Sequence, residues 1–110
     1  MLHSIDWHAR AKTAKLPNRP FIDGQYVDSL SGETFPCIYP GDGRLLTRVA
    51  SCNAADVDVA VRSARKAFES GVWSRMAPAD RRRILLRFSD LILANREELA
   101  LLETLNVGKP

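Results

Sequence analysis

From about position 54 onward the apolar residues of this chain return every three or four positions, whereas before it they alternate or come in short pairs. Ile84, Leu85, Phe88, Leu91 and Ile92 therefore fall on one side of a helix. Pro78 suits the first position of that helix, because its missing N–H is one the helix leaves unpaired anyway. A second start follows at Asn95, whose side chain can accept from the N–H groups of the next turn, with Glu98 three residues on as in a capping box. Leu99, Leu102 and Leu105 carry the apolar face onward, and Gly108 supplies the stop. Upstream, Asn53 is placed to cap another helix, with Asp56 favoured by the positive helix end. Val57, Ala60, Val61, Ala64, Ala67 and Phe68 form its stripe, rich enough in alanine for a neighbour to approach closely. Gly71 ends this helix, and Val72-Trp73 is expected to anchor the connection to Pro78.

Ahead of the helices the sequence reads as short strands. In Phe21-Ile22-Asp23-Gly24-Gln25-Tyr26-Val27 an Asp-Gly pair separates apolar and aromatic residues, which favours a two-residue turn because both turn positions need positive φ. Ser31-Gly32 marks a further turn, a strand is predicted over 34–39, Pro40-Gly41-Asp42-Gly43 breaks it, and Leu45–Ala50 forms the next. The prediction is an α/β chain: an N-terminal arm or short helix over 1–19, a small antiparallel β-meander over 20–50, and three α-helices over 53–110. Such a meander is marginal alone and needs a helix or a larger sheet to cover its apolar face.

Composition narrows the partners more than the fold. Hydrophobic residues at 45% and charged residues at 26% are ordinary for a globular protein and argue against disorder throughout. The net charge of +3 is mild. Most of it lies between Arg62 and Arg87, and Arg81-Arg82-Arg83 is its densest point. Successive helical residues point about 100° apart, so these three cannot form one phosphate-binding face. No apolar run approaches the roughly 18 residues of a membrane span, and the start of the chain lacks the apolar core of a secretory signal. Two isolated cysteines, Cys37 and Cys52, read as free thiols of a reducing cytoplasm.

Candidate chemistry is sparse. His3 and His8 are five apart, which misses the spacing of paired helical ligands. Gly41-Asp42-Gly43 begins like a dinucleotide-binding loop, but Leu46 takes the third glycine position and a strand follows where a helix is needed. Gly108-Lys109 resembles the end of a phosphate loop, yet Pro110 replaces the required hydroxyl residue. Neither cysteine has a histidine near it in sequence, so neither has a base at hand.

From Phe21 to Pro110 the sequence resembles the N-terminal portion of the aldehyde dehydrogenase superfamily. The resemblance rests on the 21–27 hairpin, Ser31-Gly32 with Thr34-Phe35, Asp56-Val57-Asp58 with Ala60-Val61, Ala64-Arg65 with Ala67-Phe68, Trp73-Ser74, Arg81 to Leu85, and Glu97-Glu98-Leu99-Ala100 through Leu102-Glu103-Thr104-Leu105. Each piece is short; their shared order over some ninety residues carries the match. Trp7, Asp42-Gly43-Arg44-Leu45-Leu46, Val49-Ala50-Ser51-Cys52 and Leu99-Ala100-Leu101-Leu102-Glu103 look closest to the polyamine-breakdown members, which oxidise γ-glutamyl-γ-aminobutyraldehyde or 4-guanidinobutyraldehyde.

This resemblance implies a homo-oligomeric, NAD(P)+-dependent enzyme that turns an aldehyde into a carboxylic acid. It also implies that the nucleophile, the base and the nucleotide-binding segment lie beyond the point matching Pro110, so that the domain is truncated there. No catalytic and no NAD- or NADP-binding residue is then expected in this chain, and no activity from it alone. The missing C-terminal remainder, or a full-length paralogue, is the implied partner. One family site does fall within the chain: a monovalent cation, Na+ or K+, held between the strand matching 36–40 and the helix end matching Leu105-Asn106. Its residues here are Cys37, Ile38 and Asn106. Cys37 stands where a hydroxyl residue is common, and Asn106 where aspartate is usual. Two other classes stay open at this point: an interaction module without chemistry that pairs with a full-length paralogue, and a small basic nucleic-acid binder.

Overall fold

A computed structural model describes residues 4–110 and gives the elements α1 (Trp7–Thr13), β1 (Phe21–Ile22), β2 (Gln25–Tyr26), β3 (Thr34–Ile38), β4 (Leu45–Ala50), α2 (Ala54–Ser70), α3 (Pro78–Ala94) and α4 (Arg96–Val107). Local chemistry explains most boundaries. Asp23 and Gly24 take positive φ of 53° and 77°, which lets Phe21 pair with Tyr26 and Ile22 with Gln25 across a two-residue turn. Asn53 Oδ1 accepts from the N–H groups of Ala55 and Asp56, and Asp56 Oδ2 accepts from the N–H of Asn53, so the capping box at the start of α2 is complete. Gly71 and Gly108 close α2 and α4 in the left-handed conformation.

Three expectations change. The strands do not form one meander: β1–β2 and β3–β4 are separate two-stranded antiparallel sheets. The chain between them, residues 27–33, is tied instead to α2 and to the residue just after β4, through Leu30 N–H to Asp56 and Ser31 Oγ–H to the carbonyl of Ser51. Asn95 starts α4 but does not cap it with its side chain, because its amide reaches back to donate to the Leu91 carbonyl at 2.8 Å. The same carbonyl also accepts from the backbone N–H of Asn95, so the end of α3 is held by both donors of that residue. Val72 and Trp73 anchor nothing, being 73% and 43% exposed.

Most of the apolar helix surface stays uncovered. The apolar faces of α2 and α3 run as the sequence pattern requires, yet their large side chains (Val57, Val61, Phe68, Ile84, Leu85, Phe88, Leu91 and Ile92) are 44 to 64% exposed. The buried apolar residues among those described are Leu101 at 8% and Leu105 at 4%, both on α4. Of the predicted face Leu105 is buried, Leu102 half-buried and Leu99 exposed, and Leu101 joins Leu105 in the buried set. The chain measures 46 × 44 × 19 Å, with a radius of gyration of 17.9 Å, whereas a compact domain of this length has about 13 Å. It is a slab rather than a ball.

Candidate functional site

A concave site lies where the β3–β4 hairpin meets α4. Pairing sets Phe35 opposite Val49 and Cys37 opposite Thr47. Side chains two apart share a face of a strand, so these four look the same way. They line one wall of a groove of about 550 Å³, and Leu99, Leu102, Leu105 and Asn106 line the other. A bulge interrupts the ladder after Cys37: Ile38 pairs with Leu45 and leaves Leu46 as the extra residue. The hairpin bends there, at the level of the end of α4.

Three contacts hold α4 in place. At its start, Arg10 of α1 reaches Glu97 at 2.7 Å. Both side chains are about two-fifths exposed, so the pair contributes no more than about 1 kcal/mol. At its end, the thiol of Cys37 donates to Asn106 Oδ1 at 3.6 Å. Gly108 sits so close to Pro40 that a Cβ there would lie 2.9 Å from Pro40 Cγ, and its φ is +73°. Glycine is needed at 108 for both reasons.

Of the residues singled out in sequence, Cys37 and Asn106 are thus brought together, with Ile38 next to the bulge. As cation ligands the side chains fit poorly. They offer one neutral amide oxygen, already accepting a thiol hydrogen, and no charge to offset the dehydration of an ion. Among the described residues no cluster of three His, Cys, Asp or Glu side chains is arranged to hold a metal. Cys37 and Cys52 are free thiols, and the partner of Cys37 is an amide rather than a base. His3 lies outside the described residues. Gly41-Asp42-Gly43 forms the turn between β3 and β4, where Asp42 Oδ1 accepts from the N–H of Arg44. A strand follows it, so these residues do not fit a dinucleotide. Arg81, Arg82 and Arg83 diverge on α3, and Arg83 is engaged with Asp80. The bond from Leu30 to Asp56 left no trace in the sequence, because Leu30 is 26 residues away and acts through its backbone.

Two hairpins lead into three long helices, two of which keep their apolar faces uncovered, as in a portion of a larger α/β fold. The chain belongs to the aldehyde dehydrogenase family, whose model matches residues 26–110. It is 46% identical over 110 residues to the aminoacetaldehyde dehydrogenase of Pseudomonas aeruginosa, covering all of this chain and 22% of that protein. The indole-3-acetaldehyde dehydrogenase of P. syringae, solved in complex with NAD+, superposes with a TM-score of 0.87 at 59% identity, over 91% of this chain and 20% of that one. The γ-glutamyl-γ-aminobutyraldehyde dehydrogenase of Burkholderia cenocepacia superposes with a TM-score of 0.92 at 47% identity, over 96% of this chain and 21% of that one. The chain therefore spans about a fifth of the length of these relatives.

Proposed function

We propose that this chain is the N-terminal portion of an NAD(P)+-dependent aldehyde dehydrogenase that oxidises an aldehyde to a carboxylic acid. Within it, residues 1–19 act as an arm and 20–110 as the first part of the catalytic domain. The substrate class we favour is an aminoaldehyde, in keeping with the names of two of the three relatives above, and one of polyamine breakdown on the strength of the sequence resemblance. The reading includes a cytoplasmic homo-oligomer, as the family resemblance implies. No helix among the described residues is long and apolar enough to cross a membrane.

The observation that carries this reading is the uncovered apolar surface. The chain exposes 9046 Å², whereas a compact protein of its mass exposes about 6,100 Å². An interface of ordinary size removes about 800 Å² from each partner. The surplus is several times that, and a large partner such as the rest of an aldehyde dehydrogenase is what it suits. The contribution of this segment is then to position the cofactor-binding part by packing. It supplies no nucleophile and no base.

The test is direct. Calorimetric titration of the 110-residue chain with NAD+, beside an NADH-forming assay with several aminoaldehydes, should give neither binding nor turnover. Saturable micromolar binding, or turnover abolished by Cys37→Ser or Cys52→Ser, would refute the assignment of chemistry to the remainder.

A further inference from the structure

The family resemblance puts a monovalent ion at the junction of β3 with the end of α4, and the side chains found there point to a different device. Asn106 has a single acceptor oxygen, and the Cys37 thiol donates to it at 3.6 Å. A cation bound to that oxygen would compete with the thiol hydrogen it already accepts. A neutral thiol is also a poor ligand for a hard ion such as Na+ or K+. Glu103 is the carboxylate lining the same groove, one turn earlier on α4. Among the described residues no side-chain hydrogen bond or ion pair links it to Cys37 or Asn106.

We infer that Cys37 and Asn106 form a thiol–amide clasp that fastens β3 to α4 without a cation, at the joint where the family pattern uses one. The clasp spans 69 residues of sequence. It lies beside the Gly108–Pro40 approach and the bulge after Cys37, so the two elements are already held close where it forms. A neutral hydrogen bond needs neither ion dehydration nor a counter-charge. The joint is therefore indifferent to the salt present and depends on a free thiol instead.

Alkylation kinetics on the full chain test this. In a Cys52→Ser background Cys37 is the sole thiol, and its reaction with iodoacetamide is followed by mass in potassium chloride and in tetramethylammonium chloride at equal ionic strength. The two rates should agree. Asn106→Ala should raise the rate about two- to tenfold, the range one lost hydrogen bond accounts for. An Asn106→Ala rate equal to the native one, or saturable slowing by K+ or Na+ in the native chain, overturns the clasp. A larger rise, which unfolding also gives, is decided on the unsubstituted chain by the side-chain amide resonances of Asn106. These should hold still through a K+ titration and move on Cys37→Ala; K+-dependent shifts overturn the inference.

Discussion

Among the described residues Asp56 is the buried polar one, 6% exposed, and its two oxygens serve two different segments. Oδ2 takes the N–H of Asn53 at 2.9 Å and closes the capping box, while Oδ1 takes the N–H of Leu30 at 2.8 Å. One carboxylate thus starts a helix and fixes the loop between the hairpins. Asparagine is the informative replacement. It keeps one acceptor and turns an NH2 donor toward a backbone donor, so one bond is lost and two donors collide. We predict that Asp56→Asn destabilises the loop and the helix start by about 1–3 kcal/mol. Amide hydrogen exchange should show it as lost protection at Leu30 and Asn53, with residues 101–105 unaffected.

Among the elements, α2 and α3 are helices by pattern and caps but not by burial, whereas α4 is buried on the face carrying Leu101 and Leu105. Sidedness predicts different responses to truncation of a side chain. Leu105→Ala should cost about 2–5 kcal/mol in the chain as it stands, because it removes one of the two leucines buried among the described residues. Phe88→Ala should change the stability of the same chain by no more than about 0.5 kcal/mol. When the chain is joined to the rest of the P. aeruginosa relative, Phe88→Ala should cost about 3–5 kcal/mol. Hydrogen exchange at the 101–105 amides of the chain at low concentration, and denaturant melts of the joined form, read the difference. The sequence made the helices, the 21–27 turn and the glycine stops legible, since each rests on residues adjacent in the chain. It did not show which faces are covered. Periodicity marks where apolar residues point, and burial depends on what lies opposite. Asn95 misled for a related reason: its amide had two helix ends within reach, and the Leu91 carbonyl won. At the groove, the Cys37–Asn106 pairing came into view through the family pattern, since nothing in local spacing joins residues 69 apart.

As a whole molecule the chain is a slab 19 Å thin, with apolar helix faces that its own hairpins do not cover. A slab of that thickness is about two helix diameters deep, which leaves no room for a core enclosed on all sides. Such surface associates in water. The isolated chain should therefore bind an apolar-surface dye strongly and scatter more light as its concentration rises; a compact monomer with sharp two-state melting would speak against the need for a larger partner. The central claim is that these faces are interior surfaces of an aldehyde dehydrogenase. Its most direct test is NADH formation by the same fusion, in which this chain replaces the matching 110 residues of the P. aeruginosa aminoacetaldehyde dehydrogenase. The account predicts a soluble fusion that oxidises the parent's aldehydes at a rate within about tenfold of the parent, a barrier difference of no more than about 1.4 kcal/mol. A fusion that fails to fold, or that folds and binds NAD+ without turnover while the parent remains active, would contradict it.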